Sequence, residues 1–398
     1  MKQVLFPEVV WFQEGPGVRN TQYTDSGVKL LNVANLVDGR VNLSNTDRYI
    51  SEEEAYGKYK HFLVDDGDFI IASSGIKVEY FDKKMGFVSG VQLPLCMNTS
   101  TIRFKVLDKN ILDIRYFMYF LKTDQFKQQL SREITGSAQL NFGPSHLKKM
   151  HLPLIDLTEQ RKIAAVLDKV SDLIAKRRQQ LDKLDELIKA RFVEMFYNID
   201  SNTNWPVVTM ADISTDMRTG PFGSALHHDE FVETGIFVLG IDNAVENKFS
   251  YNRMRYITEE KYEQLKRYTV RPGDIIITIM GTVGRSAVIP DNIPKAINTK
   301  HLACLTIDRS KAQPTFICSA FQMHPEIRQQ LTGQAKGAIM DGLNLTIIKK
   351  IHFKLPPIEI QDKFVEFFNI TEKTKTTISK SLEKLETLKK ALMQEYFG

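Results

Sequence analysis

"LPLIDLTEQRKI", residues Leu152–Ile163, returns in altered form as "LPPIEIQDKF", residues Leu355–Phe364. Each stretch runs into a long lysine-rich segment with leucines at helical spacing, and each segment closes on an aromatic residue. Sliding the chain by 201 positions lays Lys148–Phe196 over Lys349–Phe397 without a gap, and 14 of the 49 pairs are identical. Two helices of similar composition would share leucine and lysine by chance. Here His151/His352 and Gln160/Gln361 match as well, and self-similarity at a fixed offset marks a repeated architecture.

The match extends upstream with variable offsets. "GVKLLNVAN" (Gly27–Asn35) lies over "GIFVLGIDN" (Gly235–Asn243), and "RYISEE" (Arg48–Glu53) over "RYITEE" (Arg255–Glu260). "VDDGDFIIASSG" (Val64–Gly75) lies over "VRPGDIIITIMG" (Val270–Gly281), and Asn98-Thr99 over Asn298-Thr299. Order is kept while loop lengths change, so the chain reads as head, helix, head, helix.

The first helix carries a heptad seam: Ile163, Leu167, Val170, Ile174, Arg177, Leu181, Leu184, Ile188, Arg191, Met195, in alternating steps of four and three. Asp156 or Thr158 is placed to cap its start. The second seam, Phe364, Phe368, Thr371, Lys375, Ile378, Leu382, Leu385, Lys389, Leu392, Tyr396, is more polar in its middle. A lone amphipathic helix gains most of its stability by burying its apolar face. The economical arrangement therefore pairs the two as an antiparallel coiled coil. At ~1.5 Å per residue, the segment from Glu159 to Phe196 spans roughly 57 Å.

The heads read as α+β. Short β-branched runs such as "DFIIAS" and "DIIITI" are bounded by tight turns, and "ISEEEAYGKYKHFLV" and "TEEKYEQLKRYTV" read as short helices. Basic and polar residues gather at the turns: Arg19, Asn20, Lys77, Lys83 and Lys84 in the first head, and Arg218, Lys248, Arg253, Arg285, Lys300 and His301 in the second. Side chains of this kind on loops between strands hold phosphates or read base edges.

Composition bounds the function classes. The 398 residues suffice for two or three domains, and the 42% hydrophobic and 25% charged fractions are those of a soluble globular chain. No apolar run approaches the roughly 20 residues needed to span a bilayer. Pro7 and Glu8 interrupt the N-terminal apolar run, so no signal peptide is expected. Cys96, Cys304 and Cys318 are few, odd in number and form no ligand spacing, which suits a reducing cytoplasm. The net charge of +5 and pI near 8.8 are compatible with a polyanionic partner.

Catalytic motifs are lacking. There is no G-x-x-x-x-G-K-[ST], and "GTVG" (Gly281–Gly284) reads as a turn. "HHDE" (His227–Glu230) has ligand residue types but no distant partner to complete a metal site. The expectation is a binding protein rather than an enzyme, with no metal and no cofactor of its own.

"GDFIIASSG", "TGSAQLNF" (Thr135–Phe142) and "LPLIDLTEQRKIAAVLD" in the first repeat, with "GDIIITIMGTVGR" and "LPPIEIQDKF" in the second, together resemble the specificity subunit of type I restriction-modification enzymes. The resemblance covers essentially the whole chain. It departs where Ile360 stands in place of Glu159. It implies target-recognition domains at 1–152 and 200–353, helical spacers at 153–199 and 354–398, and a pseudo-twofold internal repeat. It further implies a bipartite, asymmetric duplex DNA target, the spacer acting as a ruler whose length corresponds to at most about 17 base pairs. Two modification subunits carrying S-adenosylmethionine, and restriction subunits using ATP and Mg²⁺, would supply all catalysis. Two alternatives are a related two-component methyltransferase–nuclease system and a structural scaffold that does not bind DNA.

Overall fold

Two strand orders recur in the second half of the chain as they stand in the first. The computed structural model describes residues 2–134, 140–197, 204–222, 225–335 and 343–398, and only the backbone of 78, 79, 140 and 332–335. Residues 135–139 of the Thr135–Phe142 motif therefore lie outside the described residues. By its contacts the chain divides into two units, Met1–Lys176 with Leu382–Gly398, and Arg177–Ser381. Each unit thus contains one head and part of both long helices.

In the first unit an antiparallel sheet runs in the order Val10–Glu14, Thr101–Val106, Phe69–Ala72, Met85–Phe87. A second sheet places Leu95–Met97 parallel to Val28–Leu31, with Tyr49–Ile50 on the far side. The second unit repeats both: Ser214–Thr219, Leu302–Ile307, Ile275–Thr278, Ser286–Val288, and then Ala296–Asn298, Ile236–Leu239, Tyr256–Ile257. The strands expected at "DFIIAS" and "DIIITI" are covered on both faces, which explains their unbroken apolar runs. The expected short helices also form, at Glu52–Tyr56 and Glu259–Leu265, capped by Ser51 and Thr258.

The two long helices are Leu157–Phe196 and Ile358–Phe397, 40 residues each and so about 60 Å long. Asp156 caps the first, accepting the Thr158 N–H at 2.8 Å. Among the described residues no helix is long and apolar enough to cross a membrane.

Each helix is fastened to the head before it by one buried glutamine. The Gln160 side chain accepts the Asp113 N–H (2.9 Å) and donates to the carbonyls of Ile111 (2.9 Å) and Ile155 (2.8 Å). Gln361 accepts the Gln313 N–H (2.9 Å) and donates to Lys311 O (3.2 Å) and Pro356 O (2.8 Å). Both amides are wholly buried, and both are satisfied, as burial of a polar group requires. His151 and His352 also keep matching roles, their backbones exchanging paired hydrogen bonds with Gln129 and Gln330.

The helices end differently from how they begin. Phe397 packs on Tyr116 (5.1 Å between ring centroids) inside the first unit, and Phe196 on Phe316 (4.7 Å) inside the second. Within the second unit Phe192 meets Phe364 at 5.4 Å while Asp185 pairs with Lys375 at 2.5 Å, so the helices run antiparallel. Of the seam, Ile163, Leu167, Val170, Ile174 and Ile188 are buried, whereas Leu181, Leu184, Ile378, Leu382 and Leu385 are half-buried. Beyond Ile188 the expected register fails. Phe192 and Phe196 are buried in place of Arg191 and Met195, because the helix there packs on the head as well as on Phe364. An α-helix of 3.6 residues per turn drifts off a strict 3.5-residue seam. In the polar middle, Thr371 is buried with its hydroxyl donating to Phe367 O (2.9 Å), and Lys375 spans Asp185 and Glu372.

Both heads bury a carboxylate at the turn before a central strand, and each neutralises it from a different neighbour. Asp68 pairs with Arg103 (3.1 Å) on the Thr101–Val106 strand. Its counterpart Asp274 pairs with Arg218 (2.8 Å) on the Ser214–Thr219 strand. Arg103 stands opposite Gln13, and Arg218 opposite Cys304, so the guanidinium has changed strands while filling the same space. This corrects the expectation for Arg218: its side chain is turned inward, donating also to Asp216, Thr269 O and Thr306 Oγ1.

Arg218→Gln leaves Asp274 buried without its counter-charge and is expected to cost about 3–5 kcal/mol. Adding Cys304→Arg recreates the Gln13/Arg103 arrangement and should recover most of the loss in urea unfolding. A second expectation concerns pH. His324, buried against Phe192, Tyr197 and Phe353, has Nδ1 without a hydrogen-bond partner among the described residues. Burial lowers the pKa of its imidazole, with Glu326 opposing. The unfolded chain then takes up the proton first as pH falls below about 6.5, so this contribution to stability is present above that pH and lost below it. In thermal melts between pH 7.5 and 5.5, His324→Phe should flatten the decline.

Candidate nucleic-acid interface

The parallel pairing of Ile236–Leu239 with Ala296–Asn298 brings the carboxyl ends of both strands to one edge of the second head. Asn298 leads through only three residues into Leu302, which opens the central strand of the other sheet. Thr278 and Thr219 end their strands at the same level, in register with Leu302 and Ala303. Four loops therefore converge: those after Thr219, Leu239 and Thr278, and the Thr299–His301 turn. Backbone hydrogen bonds stitch them, from Thr299 N to Leu239 O (2.9 Å) and from Ile279 N to His301 O (2.9 Å). Gly220 is required at this junction, since a Cβ there would lie 2.2 Å from Asn298 O.

The first head builds the same edge from the loops after Glu14, Leu31 and Ala72 and the turn at Asn98–Ser100. Asn98 N donates to Leu31 O (3.0 Å) and Ser73 N to Ser100 O (2.8 Å). A Cβ on Gly15 would lie 2.1 Å from Asn98 O. Buried Asn98 adds a hub, accepting the N–H groups of Val18 and Thr99 and donating to Asn32 Oδ1 at 2.9 Å.

Most of the candidate residues fall on these edges. Arg19 and Asn20 are exposed on the loop after Gly15, and Lys77 on the loop after Ala72. Lys84, half-buried at the end of that loop, donates to Val33 O at 3.4 Å, and exposed Lys83 precedes it. In the second head Lys300 and His301 occupy the central turn, and exposed Arg285 closes the loop after Thr278, its N–H donating to Thr278 Oγ1 at 2.9 Å. Arg253 is 72% exposed, with Asp242 at 4.0 Å. Lys248 is drawn instead to Glu372 on the second long helix, at 3.1 Å. Burial, then Lys300 and Arg255, lower the His301 pKa, so its imidazole stays neutral near pH 7.

Arg255 and Arg48 escaped the sequence reading. Arg255 lies against Gly240, 2.7 Å from Asp242, and Arg48 covers the Tyr23 ring at 5.5 Å. Their signal was present, since both open the matched "RYI" of the two repeats. Exposed Phe222 and Met280 on the same rim were also missed. Among the described residues no group of His, Cys, Asp and Glu is placed to hold a metal ion, and Glu230 of "HHDE" pairs with Lys261.

The family model for the type I restriction modification DNA specificity domain matches twice, over residues 23–186 and 202–389. The chain is 21% identical over 353 residues to the specificity subunit of the type I restriction enzyme MjaVIII of Methanocaldococcus jannaschii, spanning 84% of this chain and 79% of that one. It is 22% identical over 274 residues to the EcoBI specificity subunit of Escherichia coli, spanning 62% of this chain and 57% of that one, less than two thirds of that relative. In fold it resembles the crystal structure of a type I restriction-modification system S subunit from M. genitalium, with a TM-score of 0.61 at 16% identity over 100% of this chain and 96% of that one. A chain from a structure describing complex assembly and conformational transition of the type I R-M system superposes with a TM-score of 0.55 at 15% identity, over 99% of this chain and 96% of that one. With the family model matching twice across most of its length, this chain belongs to the type I restriction-modification DNA specificity family.

Proposed function

We propose that the two loop edges are the DNA-reading surfaces of a specificity subunit, one for each half of a bipartite target. The observation that carries this reading is the recurrence of one loop-bearing frame with different side chains on it. A conserved frame with exchanged tips is what two different half-sites require. In the first head Arg19, Asn20, Lys77, Lys83 and Lys84, and in the second Arg253, Arg285, Lys300 and His301, supply phosphate and base contacts. Arg255 and Arg48 join them. Arg218 and Lys248 serve structure instead.

In this reading residues 1–152 and 200–353 recognise DNA, and 153–199 and 354–398 set the spacing. Exposed Leu173, Leu187, Ile370 and Leu388 on the long helices offer apolar contacts to modification subunits. Those subunits would bring S-adenosylmethionine, and restriction subunits ATP and Mg²⁺, so that the chain itself contributes recognition and scaffolding.

Mapping methylated adenines across the genome, with and without this gene, tests the proposal. Loss of a single two-part asymmetric motif is expected, and an unchanged map in cells that express the complex would overturn it. Adding four residues to both long helices at matched positions extends each by about 6 Å. The unread gap should then lengthen by about two base pairs, while the half-sites stay the same.

A further inference from the structure

The two reading edges differ in chemistry at two matched positions. On the second head, Met280 is 42% exposed and Phe222 56% exposed; Met280 follows Ile279 and Phe222 lies two residues beyond Gly220, both of which lie against the Thr299–His301 turn. Met280 is held there by its neighbours. The N–H of Ile279 donates to His301 O at 2.9 Å, and Gly281, at φ +71°, turns the chain away immediately afterwards. A Cβ on Gly281 would touch Ile241 Cδ1 at 3.5 Å, so an apolar side chain supports the base of this loop. Phe222 is presented by Gly220, whose backbone lies directly against Asn298 and Thr299. Exposed Lys300 lies in the Thr299–His301 turn, and exposed Arg285 closes the loop that carries Met280.

The corresponding places on the first head are Ser74 and Gly17. The Ser74 hydroxyl is bonded to Ser100 Oγ at 2.5 Å, and glycine presents no side chain. At these two places the first rim is polar, though Tyr80 is 50% exposed elsewhere on the same loop; the second is apolar between cations. Solvent gives no reason to hold a thioether and a phenyl ring on a basic loop edge. A duplex does: among the unmodified bases only thymine presents an apolar group, its 5-methyl, in the major groove. The thioether is flexible and polarisable enough to fit a methyl group closely.

We infer that the half-site read by the second head contains a thymine whose 5-methyl group packs on Met280, with Phe222 closing the other side of the turn. The inference rests on the DNA-reading role proposed above and adds the chemical identity of one contact. On the first head the place matching Met280 is held by Ser74 and offers no such contact.

The test uses the full chain assembled with its modification subunits and duplexes carrying the target motif. Each thymine is replaced singly by deoxyuridine, which removes only the methyl group. Binding should weaken about three- to tenfold at one or more thymines of the second half-site, as loss of a buried methyl contact implies. Whatever response the thymines of the first half-site show should be unchanged in Met280→Ala. Met280→Ala should weaken binding to the unmodified duplex by a similar factor and make the complex indifferent to thymine or uracil there. Lys300→Ala should instead weaken both duplexes alike. Absence of any uracil-sensitive position in the second half-site, or sensitivity undiminished in Met280→Ala, would overturn the inference. A wild-type complex that bound target and scrambled duplexes equally would instead overturn the DNA-reading role.

Discussion

Everything else in this fold depends on how the two long helices are fastened. Each begins under a glutamine that is wholly buried and fully hydrogen-bonded, and each ends with a phenylalanine that completes the aromatic core of the unit containing the other repeat. The two attachments differ in kind. An amide satisfied by three backbone groups tolerates little rotation and fixes direction. A phenyl ring contributes apolar burial and admits small shifts, because aromatic pairs are favourable over a range of tilts. A helix held at its start by geometry and at its end by burial is oriented by the first and stabilised by the second.

Much of this was legible in the sequence, and the exceptions have physical causes. The repeat, the strands, the caps and the helical seam all follow from patterns that are local or at a fixed offset. The glutamine and histidine identities were visible as matches, and their role emerges only with their backbone partners. The failures occur where a neighbour is chosen by strand pairing. Asp274 needs a cation, and nothing along the chain says whether Arg218 or position 304 supplies it, since the two lie 86 residues apart and meet only across a ladder. Arg218 therefore looked like a loop cation when it was a core one. Likewise, Arg191 and Met195 continue the heptad on paper, but the helix packs against the head as well as its partner helix at that point, and 3.6-residue geometry brings Phe192 and Phe196 inward.

The loop edges show the opposite balance. Sequence placed Lys300, His301 and Arg285 together because they flank turns, and the structure brings those turns to one rim. What sequence left out was the reason the rim is rigid. Gly15 and Gly220 let one loop lie directly on the asparagine turn, closer than any Cβ allows. A glycine before a proline reads as an ordinary turn. Its structural necessity belongs to the approach of a second segment about 80 residues away.

Rigidity of that kind bears on how recognition is divided. On the proposed reading, cations around the rim attract any duplex, and their contribution falls as salt rises because the counterions they release gain less entropy in a more concentrated solution. Discrimination has to come from the few side chains that meet base edges, and each side chain or loop ordered on binding subtracts from the free energy gained. Loops whose backbones are already bonded to sheet ends lose less on docking. The same bonds make the tips exchangeable, because Ser74 and Met280, or Gly17 and Phe222, occupy equivalent places without altering the frame beneath them. If the rims are the reading surfaces proposed above, a duplicated domain built this way changes what it reads by changing its rim alone, while the buried glutamines, the glycine contacts and the carboxylate–arginine pairs hold the frame constant.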